Sequence, residues 1–145
     1  MADVVDRATR SRMMSGIRGK NTKPELSLRR SLHRLGLRFR IHVGKLPGKP
    51  DIVFPKFKAV VQIHGCFWHR HSGCRYSTDP ASRTDFWRSK FETTVERDRK
   101  AGFALRELGW RLAIVWECEL RDRGGDAIAA ALRDWLEHGK NDFHV

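Results

Sequence analysis

The stretch Asp51-Ile52-Val53-Phe54-Pro55-Lys56-Phe57-Lys58-Ala59-Val60-Val61-Gln62-Ile63-His64 decides the architecture of this chain. Ile52 to Phe54 is a short apolar run opened by an acid, Pro55 to Lys58 turns the chain, and Ala59 to Ile63 is apolar enough for a central strand. Strands joined by so tight a turn lie side by side, so Asp51 at the start of one comes beside the end of the next. A carboxylate, a backbone carbonyl and the imidazole of His64 then converge at one sheet edge. Hard oxygen ligands suit Mg²⁺, which keeps several waters and binds phosphate oxygens. A nearby histidine, with a reference pKa near neutrality, can activate water or donate a proton. Metal and base together equip a site for phosphodiester hydrolysis. Pro50-Asp51 is also a common turn dipeptide, so this reading depends on its surroundings.

Immediately downstream, His64-Gly65-Cys66-Phe67-Trp68-His69-Arg70-His71-Ser72-Gly73-Cys74 gathers three histidines, two of the three cysteines and two adjacent aromatics. Thiolates and imidazoles at such close spacing suit a tetrahedral zinc ion, although this is not a standard finger spacing. Cys66 and Cys74 offer two ligands. Cys118, at the end of the apolar run Leu112 to Trp116, can return to the same place, and one of His64, His69 and His71 completes the set. Spacing alone does not choose among them. Buried thiols and solvated imidazoles would explain any one of these residues, but not the clustering. Phe67, Trp68 and Trp87, by residue type alone, belong in a core.

Working outward, residues 1–20 form a basic arm around Met13, Met14 and Ile17, suited to gripping a duplex, and residues 21–145 form one domain. Thr22-Lys23-Pro24-Glu25 reads as a capping box ahead of Leu28, Leu32 and Leu35, and Gly36 stops that helix. Leu37, Phe39, Ile41 and Val43 alternate with Arg38, Arg40 and His42 as a strand with one wet face. From Arg83-Thr84-Asp85 a helical pattern through Trp87, Phe91, Val95, Leu105 and Leu108 runs to Gly109, as one helix or two in succession. Within it, Glu96 to Lys100 reads as a solvated face. Trp110 to Trp116 is a buried strand, and Asp126 begins an alanine-rich helix through Leu132, Trp135 and Leu136. The order helix, strand, strand, strand, helix, strand, helix predicts an α/β domain with a mixed central sheet flanked by helices.

Lys plus Arg number 29 against 17 Asp plus Glu, a net charge of +12, which calls for a polyanionic partner, nucleic acid first. The basic residues are spread along the chain, unlike those of a membrane-surface helix. No apolar run approaches the roughly 20 residues that span a bilayer, the N-terminus lacks a signal-peptide core, and the cysteines are odd in number. These features predict an intracellular, cytoplasmic protein without a membrane partner.

Several stretches resemble the very-short-patch repair (Vsr) mismatch endonucleases: Met1 to Val4, Ala8 to Ser11, Leu46-Pro47-Gly48-Lys49-Pro50-Asp51, His64-Gly65-Cys66-Phe67-Trp68-His69, Thr84 to Trp87, Val95 to Arg99, Glu107 to Arg111 and Ile114 to Cys118. The resemblance implies a restriction-endonuclease-like fold, with Mg²⁺ held by Asp51 and the backbone carbonyl of Ile63. It implies that His69 activates the attacking water, His64 assists at the phosphate and Glu25 supports the metal's water shell. The structural zinc set it implies is Cys66, His71, Cys74 and Cys118. Phe67, Trp68 and Trp87 would wedge into the base stack beside a T·G mismatch, with Met14 and Ile17 entering from the other groove and Lys90 close to the mismatch. Familiar members have threonine where this chain has Ile63, tolerable for a carbonyl ligand, and asparagine where it has Thr94, which leaves the flanking sequence open. The implied activity is a single nick 5′ to the mismatched thymine by a monomer, repairing deaminated 5-methylcytosine beside a cytosine-5 DNA methyltransferase. A restriction enzyme acting on paired DNA is one rival. A non-catalytic zinc-containing DNA-binding module is another, but it leaves Asp51, His64 and His69 without a common purpose.

Overall fold

The computed structural model describes residues 22–75 and 77–144, so the arm over 1–20, with Met14 and Ile17, lies outside the described residues. Helix α1 (Lys23–Arg34) starts where Thr22 Oγ1 accepts the Glu25 N–H at 3.4 Å. It ends in a left-handed Gly36 at φ 84°, with Gly36 N–H donating to His33 O and Leu37 N–H to Leu32 O. Strands β1 (Arg40–Ile41), β2 (Ile52–Phe54) and β3 (Ala59–His64) follow, with a 3₁₀ turn over Pro55–Phe57 between the last two. Helix α2 (Thr84–Glu107) leads to β4 (Arg111–Trp116), α3 (Glu117–Arg123), α4 (Gly125–His138) and β5 (Phe143–His144).

The five strands form one sheet in chain order, antiparallel from β1 to β3 and parallel from β3 to β5. The β2–β3 register pairs Ile52 with Val61 and Phe54 with Ala59, which is the hairpin expected from Asp51 to His64. The parallel β3–β4 pair needs a long crossover, and α2 supplies it. Period-2 alternation sends side chains to both faces. Ile52, Phe54, Val61 and Val115 join Leu28, Leu32, Ile128 and Leu132 in the larger core, beneath α1 and α4. Val53, Val60 and Leu112 meet Leu105 of α2 on the other face.

The mixed sheet with helices on its faces is as expected, while one strand is shorter, one open alternative is resolved and two short elements are added. The strand expected over 37–43 is only Arg40–Ile41, because His42 adopts φ 48° and ends the extended run. The side chains before and after it therefore part company: Leu37 and Phe39 pack in the larger core, Val43 in the smaller, and Ile41 is 42% exposed. The span from 84 to 107 is one helix, with Gly102 buried. Packing on the sheet outweighs the low helix propensity of glycine there. Finally, α3 and β5 add two elements: α3 carries Glu117–Arg121 and Glu119–Arg123 ion pairs on its outside, and β5 extends the sheet by two residues. Among the described residues, no helix is long and apolar enough to cross a membrane.

Candidate active site

Asp51 sits just before β2, where Asp51 N–H donates to Val61 O at 3.1 Å and its Oδ2 accepts the Ile63 N–H at 2.7 Å. The predicted convergence of acid and strand end is therefore present. The preceding loop depends on Gly48, at φ 75°, where a Cβ would lie 2.6 Å from Gln62 Nε2 and 2.8 Å from Ala101 Cβ. Burial pushes the Asp51 carboxyl up from 3.8 to about 6. The Ile63 N–H opposes the rise, the Glu25 carboxylate adds to it, and His42 and His69 oppose it. A carboxylate so disfavoured in its charged form gains from a cation beside it, and oxygen donors suit a hard divalent ion.

Glu25 comes to the same place from the first turn of α1, with Oε1 2.7 Å from His42 Nε2. His42 Nε2 is 3.9 Å from Asp51 Oδ1, and ligand atoms of Glu25, His42 and Asp51 all lie within 4.8 Å of one another. His42 was not among the sequence candidates; its irregular backbone hides it within an alternating pattern.

At the end of β3, the ring of its last residue, His64, stacks with that of His69 at 3.9 Å with planes 6° apart. His64 Nε2 is 3.2 Å from Gln62 Oε1, and His69 Nδ1 is 2.6 Å from Asp98 Oδ2. Asp98 corrects the reading of Glu96 to Lys100 as only a solvated face: it lies on the inner side of α2 and orients a histidine 29 residues earlier. Asp51, His64, His69 and Asp98 share a cleft of about 880 Å³ that Lys90 and Thr94 also line.

Cys66, His71, Cys74 and Cys118 form a separate cluster, with ligand atoms all within 4.8 Å and no disulfide among them. The edge of a tetrahedron with metal–sulfur bonds of about 2.3 Å is about 3.8 Å, so the set fits a zinc-sized ion. Cys118 Sγ is 3.4 Å from His71 Nδ1, and the His71 ring stacks on Trp116 at 4.2 Å. Burial pushes the Cys118 thiol up to about 12, and Cys66 and Cys74 add to the rise. Three thiols with an imidazole in one pocket suit a bound cation that would hold them as thiolates. Of the three histidines left open by spacing, His71 is the one gathered with the cysteines, while His64 and His69 face the cleft.

Phe67, Trp68 and Trp87 belong to neither core, which corrects their reading as core residues. They are half-buried and pack on one another, with centroids 5.3 to 5.7 Å apart. Phe91 supports them from below, and Arg70 lies 4.1 Å over the Phe91 ring while paired to Asp79 at 2.6 Å. Phe86, 41% exposed and packed against Trp87, extends this aromatic ledge and was not singled out in the sequence. Trp68 and Phe86 both line the cleft.

Comparison with known proteins identifies the lineage. Residues 2–75 match the family model described as DNA mismatch endonuclease Vsr. The chain is 47% identical over 137 residues to the Type II nicking enzyme V.XorIIP of Xanthomonas oryzae pv. oryzae, covering 94% of this chain and 98% of that protein. It is 45% identical over 139 residues to the DNA mismatch endonuclease Vsr of Escherichia coli K12, covering 94% and 88% respectively. Among solved structures, the catalytic domain of the homing endonuclease I-Bth0305I superposes with a TM-score of 0.54 at 16% identity, over 83% of this chain and all of that one. That likeness bears on the fold alone, and agrees with the restriction-endonuclease-like architecture expected above. With the model spanning just over half of the chain and these relatives nearly all of it, the chain is a DNA endonuclease and belongs to the DNA mismatch endonuclease Vsr family.

Proposed function

We propose that this endonuclease is Mg²⁺-dependent and nicks one strand of duplex DNA 5′ to the thymine of a T·G mismatch. The observation that carries the reading is that the Asp51–His69 centre opens onto one cleft with Trp68 and Phe86, the edge of the aromatic ledge. Asp51 and the Ile63 carbonyl would hold the metal, and Glu25 would order its water shell; the metal, when bound, polarises the phosphate and stabilises the leaving oxygen. His69, with Nδ1–H donating to Asp98, presents Nε2 as the base that takes a proton from the attacking water. The water oxygen bonds to phosphorus and the bond to the 3′ oxygen breaks, leaving a 5′-phosphate and, once a proton is taken up, a 3′-hydroxyl. His64, stacked on His69, steadies the phosphate.

Phe67, Trp68 and Trp87 supply the wedge for the base stack, and Lys90 reaches the DNA from α2. Unstacking costs a few kcal/mol per step, less at a mismatch, so that cost favours the lesion. Met14 and Ile17 of the arm would enter from the opposite groove. Cys66, His71, Cys74 and Cys118 would hold a structural zinc; four protein ligands leave no open position for catalysis. T·G pairs arise when 5-methylcytosine deaminates, which makes a cytosine-5 DNA methyltransferase the functional neighbour and a monomer on one lesion the working form.

Labelled duplexes, fully paired or with a single T·G, incubated in Mg²⁺ or EDTA, test the reading. One nick in the T·G duplex with Mg²⁺ is expected, and Asp51→Ala should bind the mismatch without cutting. Equal cutting of both duplexes would sink the mismatch specificity, and double-strand cleavage of paired DNA would point to a restriction enzyme. Absence of all cleavage would favour a binding module.

A further inference from the structure

We propose that His42 is a positioning residue of the hydrolytic site, holding the Glu25 carboxylate in place beside Asp51. The inference rests on the reading of Asp51 as the metal acid and extends it to a side chain outside that set. Three elements converge here: Glu25 from the first turn of α1, His42 directly after β1, and Asp51 directly before β2. The His42 N–H donates to Asp51 O at 3.2 Å, continuing the β1–β2 ladder one pair beyond Ile41 and Ile52. The backbone of His42 is thus tied to the backbone of the acid whose carboxylate its ring approaches.

At this point φ turns to 48°, a left-handed value that a non-glycine residue rarely adopts. The ring comes to rest inside, 13% exposed, with Nε2 2.7 Å from Glu25 Oε1. Glu25 itself is 4% exposed at its side chain, where a carboxylate needs a donor to hold one orientation. Arg29 Nη2 is more distant, at 3.6 Å from the same oxygen, so the imidazole is the closer anchor. A hydrogen bond to a charged acceptor is short and directional, which suits the placing of an outer-sphere carboxylate. Partners of this kind commonly change metal affinity by about 10- to 100-fold when removed.

The test uses the full chain with His42→Phe, which keeps a ring but no N–H, and His42→Gln, which keeps an N–H donor. Mn²⁺ binding is followed by electron paramagnetic resonance without DNA, and nicking of a T·G duplex is measured across Mg²⁺ concentrations, alongside the thermal midpoint. His42→Phe should weaken Mn²⁺ binding about tenfold and raise the half-maximal Mg²⁺ concentration by a similar factor, with KM for DNA unchanged. His42→Gln should recover most of both. Native Mn²⁺ affinity in His42→Phe would overturn the proposal, and so would equal losses in both variants that follow their loss of stability, the pattern of packing alone. Asp51→Ala is the control for the underlying reading: undiminished Mn²⁺ binding there would remove the metal assignment itself, whatever the His42 variants do.

Discussion

Replacing Asp51 by asparagine should make the metal-free protein more stable while abolishing its activity. The carboxyl has an ordinary value of 3.8 and is pushed to about 6 in the fold, chiefly by burial. Between those values the folded chain keeps a proton that the unfolded chain has lost. Its contribution to stability is therefore complete below 3.8 and is lost as pH rises through 6. At about 1.4 kcal/mol for each unit of pH, the full loss is about 3 kcal/mol. Asparagine has the same shape, and its amide oxygen can still accept the Ile63 N–H that Oδ2 accepts at 2.7 Å. It has no charge to bury. Urea unfolding in magnesium-free buffer should then show Asp51→Asn ahead of the native protein by up to about 3 kcal/mol at pH 7.5, and by about half of that at pH 5. Saturating Mg²⁺ should narrow the gap by stabilising only the native protein. An Asp51→Asn protein no more stable than the native one at pH 7.5 would refute the claim that this acid is held at a cost until a cation joins it.

Three further outcomes follow from the geometry. Asp98→Asn should lower the nicking turnover by about 100-fold or more with KM nearly unchanged, since the His69 tautomer loses its anchor; single-turnover kinetics at native rate would remove Asp98 from the site. Cys118→Ser should lose one zinc per chain by elemental mass spectrometry and lower the thermal midpoint by more than about 5 °C. Retention of both metal and midpoint would dismiss the four-residue cluster as a metal centre. Gly48→Ala should cost about 1–3 kcal/mol in urea unfolding, because φ is 75° and a Cβ would press on Gln62 and Ala101; an unshifted midpoint would show that this loop is not packed as described.

Most of the sheet was legible because β2, β3 and β4 carry their hydrophobic pattern in sequence, and the turn at Pro55–Lys58 fixes the Asp51 end against Ile63. The zinc-type cluster was legible as a composition; spacing could not choose among His64, His69 and His71, the family resemblance implied His71, and His71 is the one gathered with the cysteines. Asp98 escaped because a carboxylate in a run of charges on a long helix looks like any solvated residue until the chain returns it to His69. His42 escaped for the opposite reason. It fits an alternating strand so well that nothing marks the left-handed backbone that turns its ring inward. Helix α3 and strand β5 were too short for any period to declare itself.

The linkage between His71 and Cys118 also bears on how the chain folds. These residues are 47 apart, on either side of the whole α2 crossover. A covalent link of that span would restrict the unfolded chain by on the order of 4 kcal/mol, and an ion held by both acts as a reversible version of it. Parallel pairing of β3 with β4 is non-local and so intrinsically slow. Cys66, His71 and Cys74, however, lie within nine residues of one another and can capture an ion before the sheet exists. An ion captured there would still lack the Cys118 thiolate, which follows directly after β4 and would complete the set once β4 pairs with β3 in register. With such an ion bound, metal loading and strand register would be coupled in one step of folding, at the strand ends that also carry Asp51, His64 and His69.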